Sequence, residues 1–186
     1  DASLVERVIA GEAAAQVKFV DRLLPHLRVV ARSILRNAAD VDDAVQVALM
    51  RVLDGLPGFR GDASLVHWAR RISVHACLRF REQNQRRARV VELRAEPPAG
   101  RASAAALGEA GLPREVSDYV DTLPVAQRDA LIMRHVLGYS VAEIAELAGA
   151  PIDTVKSRLL YARRSLRALL RREAALTSRP KGRSPS

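Results

Sequence analysis

The chain has 186 residues, 48% of them hydrophobic and 27% charged, so it can bury one ordinary core or two small ones and is not disordered from end to end. Aromatics make up only 4% while Ala, Leu and Arg abound, a mix that favours helices over strands. The net charge of +9 points to an acidic partner such as nucleic acid, and the single cysteine, Cys77, excludes a disulfide-built secreted domain and a thiolate zinc cage.

In chain order, Ser3 with Glu6 forms a capping box for an opening helix that Gly11 ends. Helical spacing resumes through Leu23, Leu27, Val30 and Ile34, where Pro25 is expected to kink or interrupt the helix. Val41, Ala44, Val45, Ala48, Leu49 and Val52 give the buried stripe of the next helix, with Asp40 as its cap. Gly55, Pro57, Gly58 and Gly61 break the pattern. Asp62 or Ser64 then opens a helix with Leu65, Trp68, Ile72 and Ala76 on one face, completing a compact helical unit up to about Arg86. From Arg87 to Pro113, prolines and glycines among Ala and Arg predict a linker, with at most a short helical piece around Ala102 to Leu107. Periodicity returns at Val116, Tyr119, Val120 and Leu123 and continues to Leu170, before a polar, basic tail that reads as disordered.

The segment from Ser140 to Leu159 reads as helix, turn, helix. Ser140 with Glu143 is a second capping box, Gly149 supplies a left-handed helix end, Pro151 stops continuation, and Asp153 or Thr154 caps the following helix. On that helix Lys156, Ser157, Leu160, Tyr161 and Arg164 lie off the buried stripe of Val155, Leu159, Ala162 and Leu166, which places them to enter a major groove. Of the 30 basic residues 27 are arginine, and the excess of cations is largest, +5, over residues 116–186. There Lys156, Arg158, Arg163, Arg164, Arg167, Arg171 and Arg172 follow one another with no acid between, whereas an ordinary solvated face mixes signs.

Three stretches, Leu123-Pro-Val-Ala-Gln-Arg128, Gly138-Tyr-Ser-Val-Ala-Glu-Ile-Ala145 and Thr154-Val-Lys-Ser-Arg158 with Ala162-Arg163, resemble region 4 of the extracytoplasmic-function sigma factors of bacterial RNA polymerase. Independently, Asp42-Asp-Ala-Val-Gln46 resembles the acidic, acidic, apolar, apolar, Gln motif of region 2, and Phe59-Arg-Gly-Asp62 followed by Trp68, Arg71 and Ile72 resembles the segment that opens promoter DNA. His75 stands where the family often has Asn, and Val47 replaces the usual acidic residue after the Gln.

The resemblance implies an all-α chain of two small helical domains joined by a flexible linker. Residues 1–86 would be the region 2-like domain, for polymerase docking and the −10 element, and residues 87–115 the linker. Residues 116–172 would be the region 4-like helix-turn-helix domain, for the −35 element, and residues 173–186 a basic tail. It further implies core RNA polymerase and promoter DNA as partners, a regulating anti-sigma factor, and a polymerase-binding surface at Asp42, Asp43, Gln46, Val47 and Met50. Spacing agrees in part, since residues 43, 46, 47 and 50 fall on one stripe beside the main buried face. Implied DNA contacts are Arg60, Trp68, Arg71, His75 and Arg79 in the first domain and Lys156, Ser157, Arg158, Leu160, Tyr161 and Arg164 in the second. Trp68 taken alone reads as core, while Arg70, Arg71, Arg79 and Arg81 on one helix suit a phosphate track.

No catalytic residue, metal or cofactor is expected. Asp40, Asp42, Asp43 and Asp54 read as helix-start carboxylates with no His or Cys converging on them, His26, His67, His75 and His135 are scattered, and Cys77 reads as a small hydrophobe. With no apolar run of about 20 residues and no basic-then-apolar opening segment, a cytoplasmic protein without membrane insertion is expected. The competing reading is a one-component helix-turn-helix regulator that senses a ligand or partner through its N-terminal helices and acts without polymerase docking; an enzyme comes third.

Overall fold

A computed structural model describes residues 1–35, 37–94 and 116–177. Among these residues there are eight α-helices, one 3-10 turn and no strand. The chain divides into two compact units, Asp1–Pro98 and Ala99–Ser186.

The first unit contains α1 (Ala2–Ile9), α2 (Ala13–Ile34), α3 (Ala38–Gly55), a 3-10 turn (Leu56–Gly58) and α4 (Leu65–Arg94). In α2 the residues Ala15, Phe19, Leu23, Leu27, Val30, Ala31 and Ile34 recur every three or four positions and are all buried, forming one apolar stripe. That stripe packs against α3 and α4, which also pack on each other. Small side chains are prominent among the buried residues of both helices, Ala44 and Ala48 on α3 and Ala69, Ser73, Ala76 and Cys77 on α4, all essentially without solvent contact.

Several local expectations change in the structure. Ser3 lies inside α1, whose N-cap is Asp1, and no side-chain capping bond forms there. Asp1 reaches elsewhere: one carboxylate oxygen accepts the backbone N–H of Leu65 at the start of α4 (3.0 Å) and the other pairs with Arg22 (2.7 Å). Pro25 sits within a continuous α2, which does not break there. Asn37, not Asp40, caps α3, its side chain accepting from the Ala39 N–H, and Asp40 instead accepts from Asn84 on α4 (3.1 Å). Ser64 caps the start of α4 by accepting from the His67 N–H (3.2 Å). The deepest face of α4 runs through Leu65, Ala69, Ser73, Ala76 and Cys77, with Trp68 and Ile72 half-buried beside it, and the helix extends eight residues beyond Arg86. Leu49 is half-buried where full burial was expected. The short helical piece expected around Ala102 to Leu107 lies outside the described residues, as does most of the basic tail.

The second unit contains α5 (Val116–Asp121), α6 (Val125–His135), α7 (Val141–Ala148) and α8 (Ile152–Thr177). Ile132, Met133, Leu137, Tyr139, Ile144, Leu147, Val155, Leu159 and Ala162 form its core. Both bonds of the Ser140–Glu143 capping box are made, Glu143 N–H to Ser140 Oγ (3.2 Å) and Ser140 N–H to Glu143 Oε2 (2.8 Å). Gly149 takes φ +57°, the left-handed conformation that side chains with a Cβ avoid, and α7 closes with Ala150 N–H on the Ala145 carbonyl and Gly149 N–H on that of Glu146. Pro151 follows, and α8 begins at Ile152, so Asp153 and Thr154 lie within its first turn where a cap was expected. Leu166 is half-buried, so the fully buried stripe of α8 ends at Ala162.

Because the cap and the left-handed glycine set where α7 begins and ends, Ser140→Ala and Gly149→Ala should each cost about 1 kcal/mol. Denaturant unfolding followed by far-ultraviolet circular dichroism should show a lower midpoint at unchanged slope for both variants.

Candidate functional site

The second unit presents its candidate surface on the exposed side of α8. Tyr161 and Leu160 are 53% and 47% exposed, large apolar groups left in water among cations. Lys156, Arg163, Arg164 and Arg167 are exposed around them, whereas Ser157 and Arg158 are half-buried. Lys156 Nζ lies 3.0 Å from Asp153 Oδ1, an exposed pair one helical turn long that water screens and that exchanges readily for another anion. Ser157 Oγ donates to the Thr154 carbonyl (2.9 Å), so its hydroxyl is occupied by its own helix in this state. Glu173, the acid that ends the basic run, accepts from the Tyr119 hydroxyl, which joins α8 to α5 and directs that carboxylate to the unit's own interior contacts. Arg128, in the first of the motif stretches, is buried in α6 with Nη1 3.5 Å from Asp121 Oδ1, so it serves the fold of this unit.

In the first unit α3 is two-sided. Val41, Ala44, Val45, Ala48 and Val52 are buried, while Asp42, Asp43 and Gln46 are exposed, Val47 is half-buried and Met50 is 58% exposed. An unbranched, polarisable side chain held in water beside two carboxylates and an amide is an adaptable contact surface for another protein.

On α4, Arg71, His75 and Arg79 recur every four residues and so share one face. His75 and Arg79 are exposed and Arg71 is half-buried. Trp68 begins the same side of the helix, its ring 5.2 Å from that of Phe59 at 59°. It also lies over Gly55, where a Cβ would stand 3.4 Å from Trp68 Cζ2 and 3.8 Å from Ile72 Cδ1. Trp68 is thus half-buried, one side of its ring against Phe59, and Arg60 stands exposed in the loop next to Phe59. Of the four arginines expected to form a track on this helix, Arg79 is exposed, Arg70 and Arg71 are half-buried, and Arg81, also half-buried, donates to the Ile34 carbonyl at the end of α2 (3.5 Å). Sequence spacing along α4 also missed Arg51, which comes from α3 and acts on the charge of His75; only the packing of α3 on α4 reveals it.

The titratable groups hold little that suggests covalent chemistry. Burial pushes the Cys77 thiol up to about 11, with Ser73 and Arg81 acting weakly the other way, so at neutral pH it is an un-ionised thiol and a poor nucleophile. Among the described residues no three His, Cys, Asp or Glu side chains are grouped to hold a metal ion, and no helix is long and apolar enough to cross a membrane.

Comparison with known proteins places both units. Residues 19–87 match the family model for sigma-70 region 2, and residues 114–166 that for sigma-70 region 4. The chain is 34% identical over 174 residues to the ECF RNA polymerase sigma factor SigM of Mycobacterium tuberculosis, covering 91% of this chain and 84% of that protein. It is 30% identical over 178 residues to the ECF RNA polymerase sigma-E factor of Escherichia coli, covering 89% and 92%. Among solved structures it resembles the sigma factor RpoE of Bartonella quintana, crystallised with the anti-sigma factor NepR (TM-score 0.59, 27% identity, 82% of this chain and 94% of that one). It also resembles CnrH, solved with the cytosolic domain of CnrY (TM-score 0.57, 25% identity, 90% and 94%). A one-component regulator is not favoured, because the N-terminal helices match sigma region 2. The chain belongs to the ECF sigma factors, the promoter-recognition subunits with which RNA polymerase initiates transcription.

Proposed function

We propose that the division of labour follows the two units. Residues 1–86 dock on core polymerase and engage the −10 element, residues 116–172 read the −35 element, and residues 87–115 and 173–186 serve as linker and basic tail. The chain itself acts without catalysis, in the cytoplasm, as a binding subunit. The observation that carries this reading is α8: a capped helix-turn-helix leaves Leu160 and Tyr161 about half exposed within a run of cations that no acid interrupts before Glu173.

Lys156, Ser157, Leu160, Tyr161 and Arg164 face base edges in this assignment, while Arg158, Arg163 and Arg167 hold phosphates. Asp42, Asp43, Gln46, Val47 and Met50 form the polymerase-docking stripe. Arg60, Trp68, Arg71, His75 and Arg79 meet the −10 element, with Trp68 offering a ring face and the cations a charged track. Regulation by an anti-sigma factor that covers these surfaces is supported by the two solved relatives, each captured with such a partner or with the cytosolic domain of a second protein.

Transcription from a candidate promoter by core polymerase should depend on adding this chain; promoter binding by the chain alone, equal in affinity and specificity to that of the holoenzyme, would overturn the assignment. Asp43→Arg with Gln46→Ala should weaken holoenzyme assembly without unfolding the protein, and a titration against core polymerase that shows unchanged affinity would remove the docking surface from α3. For α8, Lys156→Ala should cost about 1 to 3 kcal/mol of discrimination between upstream-element variants, whereas Arg167→Ala should weaken all variants alike and flatten the salt dependence. Equal losses on every variant from both substitutions would show the two roles to be wrongly divided.

A further inference from the structure

The sequence of α8 holds two acids, Asp153 and Glu173, and the fold treats them oppositely. Glu173 accepts from the Tyr119 hydroxyl, whereas Asp153 keeps 91% of its side chain in water and meets Lys156 Nζ at 3.0 Å. Residues 153, 156, 157, 160 and 164 follow at three- and four-residue steps, so Asp153 opens the row that continues through Lys156, Ser157, Leu160 and Arg164. An exposed pair of this kind adds little to folding. A first-turn carboxylate suits the helix dipole, but an acid on any side of that turn would suit it equally. On a surface that approaches phosphates, a carboxylate costs affinity unless a base edge offsets it.

We propose that Asp153 and Lys156 act as a unit that reads one G·C base pair of the upstream element, Lys156 donating to guanine and Asp153 accepting from the cytosine N4 amino group. The proposal rests on the reading of α8 as the −35 helix and deepens it by giving Asp153 a role and naming the base pair. In the major groove guanine O6 and cytosine N4 are joined by a Watson–Crick hydrogen bond and stand about 2.9 Å apart. Nζ and Oδ1 are 3.0 Å apart, so the ion pair has the width of that edge and the opposite polarity. In water the pair is weak; pressed against this edge, each charge keeps a partner as water leaves. Guanine adds N7 beside O6, which strengthens the site for the ammonium, and cytosine has no acceptor beside its amine on this edge. In an A·T pair the amine lies between two acceptors, adenine N7 and thymine O4, so a carboxylate that reaches it is repelled on either side. Turning the pair round to C·G sets carboxylate against O6 and ammonium against amine. One base pair is thereby selected in identity and in orientation.

The test titrates holoenzyme, assembled from core polymerase and the full chain, against promoter fragments in which each position of the upstream element carries the four base pairs in turn, with anisotropy as the readout. Wild type should prefer one orientation of G·C at one position by about tenfold over each alternative. Asp153→Ala and Lys156→Ala should each erase that preference and leave selection at the other positions standing. A second arm needs no variant to compare with wild type: N4-methylcytosine at the selected position still pairs with guanine but places a methyl group where the carboxylate would accept. It should weaken wild-type binding about tenfold and Asp153→Ala hardly at all. An equal gain on every fragment from Asp153→Ala would show a carboxylate that only repels the backbone, and would overturn the paired readout. Unchanged selection in Asp153→Ala, or equal losses from N4-methylcytosine with and without the carboxylate, would overturn it too. In each of these cases α8 remains the DNA helix so long as Lys156→Ala or Arg167→Ala weakens binding; if both bind every fragment as wild type does, the underlying reading of α8 falls as well.

Discussion

The first unit depends on how closely α4 can approach α2 and α3. Many of the side chains that α3 and α4 bury are no larger than Ala, Ser or Cys, at Ala44, Ala48, Ala69, Ser73, Ala76 and Cys77, beside Val41, Val45, Val52, Leu65 and Val74, while α2 contributes the bulky Phe19, Leu23 and Leu27. Dense packing of this kind penalises a change of even one methylene in either direction. It fixes the rotation of α4 about its own axis, and that rotation turns the face shared by Arg71, His75 and Arg79 away from the core. Polar contacts at the periphery hold the same register: Asp1 on the Leu65 N–H, Asn84 on Asp40, and Arg81 on the Ile34 carbonyl. Each joins residues more than forty positions apart in sequence.

The second unit is held by local means instead. A complete capping box, a left-handed glycine and a proline within twelve residues set both ends of α7 and the start of α8, so the angle of the helix-turn-helix is written mainly in short-range backbone geometry. Its core is smaller, and Arg128 and Tyr119 lend polar links, to Asp121 and Glu173 respectively, that join α6 and α8 to α5 and its end. The contrast suits the proposed division of labour. A surface assembled from α3, the following loop and α4 needs long-range packing to exist at all, whereas a single helix proposed to read DNA needs only to be aimed.

This contrast also explains what was legible in the sequence. Helical periodicity located the helices, and the Ser140–Glu143 box and Gly149 formed as expected, because these signals are carried by bonds spanning three to five residues. Ser3 and Asp40 failed as caps for the same physical reason: Asp1 and Asn37 precede them and begin their helices earlier, so the N–H groups two and three residues beyond Ser3 and Asp40 are already committed to carbonyls of the helix. Pro25 does not interrupt α2 because packing of the long apolar stripe outweighs one missing backbone bond. The exposed stripe of α3 was visible as spacing, but the turning of Arg81 to a carbonyl and the approach of Arg51 to His75 were not, since both arise from helix pairs brought together only in the fold.

Gly55 closes α3, the helix that carries the exposed Asp43, Gln46 and Met50, and a methyl group at that position would just meet the Trp68 ring, with Ile72 alongside. The room between the end of α3 and the indole on α4 is thus about one methyl group: an alanine side chain at position 55 would occupy it at ordinary contact distance, bringing α3 into direct touch with the ring that stacks at an angle on Phe59. Any residue larger than alanine there would have to push the indole or Ile72 aside, so the size of one side chain at the end of α3 sets where the Trp68 ring of α4 can lie.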